Sequence, residues 1–469
     1  WTYDGSYPGP TFAVRHGQQL QVTWVNAIQG AYPVRVVLAD EPPAGGPRPQ
    51  NEPGDSGGQQ VMNVPESART VVHLHGGQTQ AASDGWPDNT LGEGHAGVSR
   101  YEVGQQAALL WYHDHAMGIT RYNVFAGLSG LWVIRDHEEA QLVGRGGIPD
   151  SRHELFVVIQ DRNLATTDGT ATGPPSNQFL HKIDRGTGEF FGPFTLVNGR
   201  IWPRHPVSPK AYRVRILNGS NARTYGLELR YVDDRNQPTD DSVPAGAVYQ
   251  IGTDGGLLPE ASQVGTAPDG LGPLVVLAPA ERVDLVIDFG ALAAARHGAG
   301  CRVAWFNTAK APYDGTYLAP DAAATDQGED RESIFLKYPQ VMRFDIEAGA
   351  VAPAWPAPAQ LSAQYRRITR ADVGAHSIRL AALVELDVPA GGTMLLVREL
   401  FETSEIRADC HGLMGGPMPV EVDPATHEPR VYRITLPGEA SPRTFFVGAQ
   451  NFYDTVNWMV RLGDYEEWR

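Results

Sequence analysis

Residues 11–26 read TFAVRHGQQLQVTWVN, two runs of alternating apolar and polar residues on either side of His16-Gly17. Strand side chains alternate between faces, so this period of two is what a strand with one buried face requires. The tight turn between the runs predicts a β-hairpin at the edge of a sandwich. Working outward, the same punctuation continues along the chain. The 52 glycines and 36 prolines fall between short Val, Leu, Ile and aromatic runs and never gather into a low-complexity tract, which predicts many turns joining many strands. The fold class is all-β. At 469 residues the chain is too long for one core, and a norm of about 150 residues per domain suggests about three.

The first unit is expected over residues 1–145. Strand-like runs recur at Val71–His75 and Ala107–His115, and GLSGLWVI (127–134) closes it, while the Pro, Gly, Asn and Glu-rich residues 27–65 read as a long surface loop. A second unit, 146–348, runs from Glu154-Leu-Phe-Val-Val-Ile-Gln through Tyr212-Arg-Val-Arg-Ile-Leu-Asn to Arg343-Phe-Asp-Ile, and carries no cluster of metal-ligating residues. GAVAPAWPAPAQ (349–360) reads as a Pro/Ala linker, and together with the residues after it forms a third unit, 349–469.

Composition narrows the function. The net charge of −16 is spread through loops, a field that repels nucleic acid and disfavours anionic membranes. No stretch approaches the ~20 uncharged apolar residues of a membrane span. Cys301 and Cys410 lie far apart in sequence, which excludes a stapled disulfide framework and leaves one bridge or two free thiols. The chain opens inside a strand-like run, so the N-terminus reads as incomplete and the missing leader peptide decides nothing about compartment.

Two motifs carry chemistry: His73-Leu74-His75-Gly76, led by Thr-Val-Val, and His113-Asp114-His115, led by Leu-Leu-Trp-Tyr. On a strand, His-x-His places both imidazoles on one face, about 6.6 Å apart. Two such strands side by side present four imidazoles to one space. A single His-x-His is commonly a surface pair or half of a mononuclear zinc site. Four of the 14 histidines in one 43-residue window, paired twice, are another matter, because the non-metal reading must bury four polar rings in a strand core. Imidazole suits copper, zinc, iron and nickel, so the set defines a transition-metal site without naming the metal. Asp84, in the Ser-Asp-Gly turn, either caps its own backbone or hydrogen-bonds a ligand imidazole or a metal-bound water. Asp114 should point to the opposite face as a structural partner, and Trp111, Tyr112 and Met117 read as packing around the site. The other ten histidines, His16, His95, His137, His153, His181, His205, His297, His376, His411 and His427, are isolated, and a solvated or singly hydrogen-bonded ring is the default for each.

Longer strings resemble the bacterial branch of the multicopper oxidase family, the branch that includes phenoxazinone synthase, spore-coat laccase and bilirubin oxidase. They are YPGPTF (7–12), HLHGGQT (73–79), SDGWPDN (83–89), WYHDHAMGITRYNVFAGLSG (111–130), VNGRIWP (197–203), YRVRILNGSNARTYGL (212–227), IGTDGGLLP (251–259) and APAERVDLVIDF (278–289). FFGPFTLVNGRIWP and the acidic loop are most similar to phenoxazinone synthase. The resemblance implies three cupredoxin-like β-sandwiches in series, the third incomplete. It implies copper, with His73 a ligand of the type 2 ion, His75, His113 and His115 ligands of the type 3 pair, and Asp84 an acid beside the type 2 site. Its type 1 copper and the remaining four histidines come from His-Pro-x-His-x-His and His-Cys-His-x-x-x-His patterns, and neither is in this sequence. The first should follow a strand like Glu466-Glu467-Trp468, so the departure reads as truncation. Asp409-Cys410-His411-Gly-Leu-Met414 has the wrong spacing for the His-Cys-His string and reads as a loop thiol. The implied activity is oxidation of phenolic or o-aminophenol substrates coupled to reduction of O2 to water, with a general laccase or bilirubin-oxidase-like enzyme as the alternative. If these residues were the entire protein, a copper-binding protein without turnover would be the reading. The analogy also suggests a homo-oligomer and slightly favours the cytoplasm.

Overall fold

The computed structural model describes residues 1–30, 33–38, 68–167, 175–183, 189–296, 300–320, 336, 338–364, 368–374, 377–387, 393–402, 431–436, 439–447 and 466–468. The chain forms two compact units, Trp1–Tyr365 and Arg366–Arg469. Both are built from strands, as the turn-rich composition requires.

The two runs of residues 11–26 are strands, Gly9–Arg15 and Gln19–Val25, but they do not form a hairpin. Gly9–Arg15 pairs in parallel with Ser129–Arg135, whereas Gln19–Val25 pairs antiparallel with Ala96–Glu102 in a separate two-stranded sheet. The turn is a corner. Gln18 N closes the turn on Arg15 O at 3.0 Å, but His16 N donates outward to Arg135 O at 2.8 Å and Gly17 N to Val103 O at 2.7 Å, and the two strands that leave the turn pair with different neighbours. The alternation is still obeyed, because Phe12 and Val14 from one side and Leu20, Val22 and Trp24 from the other meet Tyr112 and Trp132 in one core. Within the surface loop expected at 27–65, Arg35–Leu38 is a strand paired in parallel with Leu180–Ile183. Its Val-Val pair supplies enough β-preference for four residues. Residues 31–32 and 39–67 lie outside the described residues.

The sheet that positions the site runs in the order Gly9–Arg15, Ser129–Arg135, Ala108–Asp114, Val72–His75. Ala108–Asp114 is buried along its whole length and has a hydrophobic partner on each face. Leu110 and Tyr112 face the first core, while Leu109 and Trp111 face a second one shared with Val158 and Leu217. Residues 154–346 form a seven-stranded and a five-stranded sheet that enclose Ile159, Val214, Ile216, Leu227, Trp305 and Phe344. Arg213 and Arg215, both buried, and the partly exposed Arg135 meet Glu139, Glu154 and Asp284, three cations against three nearly buried carboxylates.

The Pro/Ala stretch has no regular structure but is fastened to the first unit. Trp355 N donates to Asp288 Oδ2 at 2.8 Å, and its ring packs on Tyr249. Arg366–Arg469 contains a sheet of Val431–Ile434, Arg443–Val447, Thr393–Glu402, Ser377–Asp387 and Glu466–Trp468, in that order. Its core is Leu400, Phe445 and Val447. The Asp409–Met414 segment, Cys410 included, lies outside the described residues; Cys301 is a free, half-buried thiol. No helix among the described residues is long and apolar enough to cross a membrane.

Candidate metal centre

Val72–His75 and Ala108–Asp114 pair antiparallel, with His73 directly opposite His113 and His75 opposite Trp111. His115 continues the edge, its N–H donating to Val71 O at 2.8 Å. Alternation turns Val72, Leu74, Leu110 and Tyr112 into the sandwich core and the imidazoles to the opposite face. The ring centroid of His73 is 5.8 Å from His75, 5.6 Å from His113 and 5.3 Å from His115. One nitrogen from each of His73, His75 and His113 lies within 4.8 Å of the others. The His115 ring stands beside that group, stacked on His113 at 5.6 Å.

The hydrogen bonds decide which nitrogen each ring offers. His73 Nδ1 lies 2.6 Å from Asp84 O and His113 Nδ1 lies 2.7 Å from Asp114 O. A carbonyl only accepts, so both Nδ1 atoms carry the proton and both Nε2 lone pairs face the common space. His75 Nδ1 sits 3.3 Å from His113 Nε2, and His115 Nδ1 is buried with no hydrogen-bond partner. Neutral imidazole lone pairs converging with one buried nitrogen unsatisfied are what a bound transition-metal ion completes, so the residues fit a metal. Burial holds His75, His113 and His115 toward the neutral form. His113 is lowered to about 3 by burial, with the neighbouring imidazoles in support, and His75 to about 4 by burial followed by the Arg282 charge. His115 is lowered by burial as well. Ligands that stay neutral at physiological pH need no proton displaced before they bind.

Asp84 adjoins the site in an unexpected way. Its backbone carbonyl, not its carboxylate, holds the His73 ring; Oδ1 stands 3.4 Å from Nδ1 on a side chain that is 45% exposed. The approach depends on Gly85, whose φ is +82° and whose missing Cβ would lie 2.4 Å from Val72 O. Ser83 Oγ anchors the same turn by accepting from Arg100 N at 3.0 Å. Asp114 is fully buried and accepts from Val71 N, Ala116 N and Asn123 Nδ2 at 2.9, 3.1 and 2.8 Å. Its carboxyl is pushed up to about 6 by burial, against the pull of those donors.

Trp111 packs beside His113 and His75, at 4.2 and 5.2 Å between centroids, and Tyr112 is in the core. Met117, expected to pack, is 43% exposed because the chain leaves the strand at His115. His181 also departs from its default: it is buried between Tyr122, Phe125 and Phe190 with neither ring nitrogen hydrogen-bonded. Sequence reasoning missed Gly85 and Asn123. The only signal for either was its place in the strings SDGWPDN and GITRYNVFAG.

Residues 49–139, which include all four histidines, match the family model described as multicopper oxidase. The chain is 36% identical over 304 residues to a laccase of Bacillus stratosphericus and 34% identical over 302 residues to a laccase of Bacillus subtilis (strain 168). Each match covers 62% of this chain and 51% of the relative, so the chain spans about half the length of the curated relatives it matches. Among solved structures, the multicopper oxidase McoA of the hyperthermophile Aquifex aeolicus aligns over 81% of this chain and 63% of that one, with a TM-score of 0.54 and 22% identity. That likeness establishes a shared β-sandwich fold.

Proposed function

The chain belongs to the multicopper oxidase family, and from that premise we propose that His73, His75, His113 and His115 bind copper in an enzyme that oxidises phenolic or o-aminophenol substrates one electron at a time and reduces O2 to water. The observation that carries this reading is the convergence of three imidazole nitrogens within 4.8 Å on one sheet face. Bound copper supplies one-electron chemistry and a place for dioxygen, which no side chain here offers.

The residues themselves hold and shield. His73 takes the type 2 position and His75, His113 and His115 the type 3 positions. The Asp84 carbonyl fixes the His73 tautomer, and Trp111 walls the His75–His113 side against water. The half-exposed Asp84 carboxylate, 3.4 Å from His73 Nδ1, accepts and returns protons at its Oδ atoms as O2 is reduced. Three sandwiches, 1–145, 146–348 and 349–469, and assembly as a homo-oligomer belong to the same proposal. Strings such as FFGPFTLVNGRIWP support a phenoxazinone-synthase-like preference for o-aminophenols. A broad laccase activity is the second reading, favoured by the laccases among the relatives.

The test is metal analysis together with O2 uptake on o-aminophenol and on a methoxyphenol, for the native protein at its natural length and for its His113→Ala variant. Copper in the wild type, O2 uptake, and loss of both in the variant are expected. Uptake faster with o-aminophenol separates the first reading from the second. Bound copper without uptake on either substrate would overturn the oxidase reading in favour of a copper-binding protein without turnover.

A further inference from the structure

The turn that carries His75 is bonded from its own sandwich and packed against a side chain from the neighbouring seven-stranded sheet. From its own sandwich, Gln105 clasps the turn twice: Nε2 donates to Gly76 O at 2.8 Å, and Oε1 accepts from Gln78 N at 2.7 Å. From the strand Arg282–Asp288, the Arg282 guanidinium reaches across, with its side chain only 4% exposed. Its Nε donates to Leu109 O at 3.0 Å, on the strand that carries Trp111 and His113. The rest of the group is fixed at home: Nη1 donates to Ala280 O at 2.9 Å and pairs with Asp254 Oδ1 at 3.0 Å, and Asp254 Oδ1 also accepts from Arg282 N at 2.7 Å. Gly76, the residue after His75, lies flat against this guanidinium. Its φ is +83°, and a Cβ there would stand 2.6 Å from Arg282 Nη2. A side chain here would be strained by the positive φ and would have to displace the end of the arginine.

We infer that Arg282, braced by Asp254, is a positioning residue for the metal centre, a latch from the second sandwich that fixes the His75 turn against the His113 strand. This rests on the reading of the four histidines as a copper site. A guanidinium suits the task because its planar fork can bond two backbones and one carboxylate at once. A lysine ammonium presents its donors from a single point and cannot span Leu109 O, Ala280 O and Asp254 together. The latch is also accessible. Arg282 and Asp254, with Gln250, Thr253 and Glu281, line a cavity of about 460 Å3. Truncating the side chain extends that cavity to the Leu109 carbonyl, leaving a berth for a free guanidinium ion.

The experiment compares the full chain with its Arg282→Ala, Arg282→Lys and Asp254→Asn variants. Each is loaded with Cu(II), challenged with a chelator, and read by copper content and by the electron paramagnetic resonance of the copper still bound. Arg282→Ala should weaken copper retention by about 10-fold or more and alter the spectrum. Millimolar guanidinium should restore both, and Arg282→Lys should lie between. Asp254→Asn keeps an acceptor for Arg282 N on a half-exposed side chain, so it folds even if Arg282→Ala does not, and it should lose copper by a smaller factor. Wild-type retention and spectrum in Arg282→Ala, or in Asp254→Asn where the alanine variant is unfolded, overturns the latch alone. Copper loss that guanidinium leaves unchanged in a folded Arg282→Ala overturns it too. A wild type that binds no copper overturns the site reading beneath it.

Discussion

Gly85→Ala should damage the metal centre more than any change to the Asp84 side chain beside it. Gly85 adopts φ of +82°, and a Cβ built there meets Val72 O at 2.4 Å, Val72 C at 2.7 Å and His73 Cα at 2.9 Å. All three are backbone atoms of the strand that carries His73, so no side chain can turn aside to make room. The left-handed conformation costs alanine about 1–2 kcal/mol. The turn is pinned on its other side by the Ser83–Arg100 bond, so relieving the clash means lifting Asp84 O from His73 Nδ1. That forfeits about 1 kcal/mol more. The sum is about 2–3 kcal/mol. With an unfolding entropy of about 2.1 cal/mol/K per residue over the unit Trp1–Tyr365, it lowers the midpoint by about 3–4 °C. Asp84→Ala leaves the carbonyl in place and should move the midpoint of the copper-free protein by under about 1 °C. Scanning calorimetry on copper-free protein gives the two midpoints, and copper titration should show weaker binding in Gly85→Ala. Equal midpoints for Gly85→Ala and wild type, or a larger fall for Asp84→Ala, would refute the claim that the backbone of this turn orients His73.

Asp114→Ala strands three buried donors, Val71 N, Ala116 N and Asn123 Nδ2, and should cost about 3–4 kcal/mol in urea unfolding; Asp114→Asn, which keeps one oxygen, should cost less. Acid should destabilise the copper-free protein. His75 and His113, held at about 4 and about 3, stay neutral in the folded state while the unfolded chain takes up protons near 6.5, so their contribution is intact above about pH 6.5 and lost progressively as the pH falls toward those values. Burial of His115 and His181 acts in the same sense. Asp114, raised to about 6, works the other way: the folded state binds its proton first, which adds stability between about pH 6 and 4. Melting curves from pH 7.5 to 4.5 should therefore fall in the wild type and fall more steeply in Asp114→Asn; a flat or rising wild-type curve would contradict the assignment.

The all-β class and the two strands of the His-x-His motifs were legible in the sequence because both rest on a period of two, which survives whatever the strands pair with. Pairing itself was not. Residues 11–26 carry the pattern of a hairpin, yet the same alternation serves a corner between two sheets equally well, and only the distant acceptors Arg135 O and Val103 O decide between them. Arg35–Leu38 was hidden by its surroundings, since four residues in a run of Pro, Gly and Glu fall below any periodicity test. Asp84 illustrates the limit at the site. The sequence places a carboxylate near His73, but a backbone oxygen makes the bond, and no pattern of side-chain chemistry reports where a carbonyl points.

Asp114 shows why the spacing carries more than two ligands. Alternation that turns His113 and His115 to one face must drive the residue between them through the sheet to the other, where water is excluded. An apolar residue there would pack, but it would leave Val71 N and Ala116 N, at the ends of the two ligand strands, without an acceptor. A carboxylate bonds both and Asn123 Nδ2 as well, so it closes the strand ends beside His73 and His115 at one point. The intervening acid is thus a clasp on the far side of the sheet. The four histidines stay in register because a group on the opposite face joins the backbones that carry them.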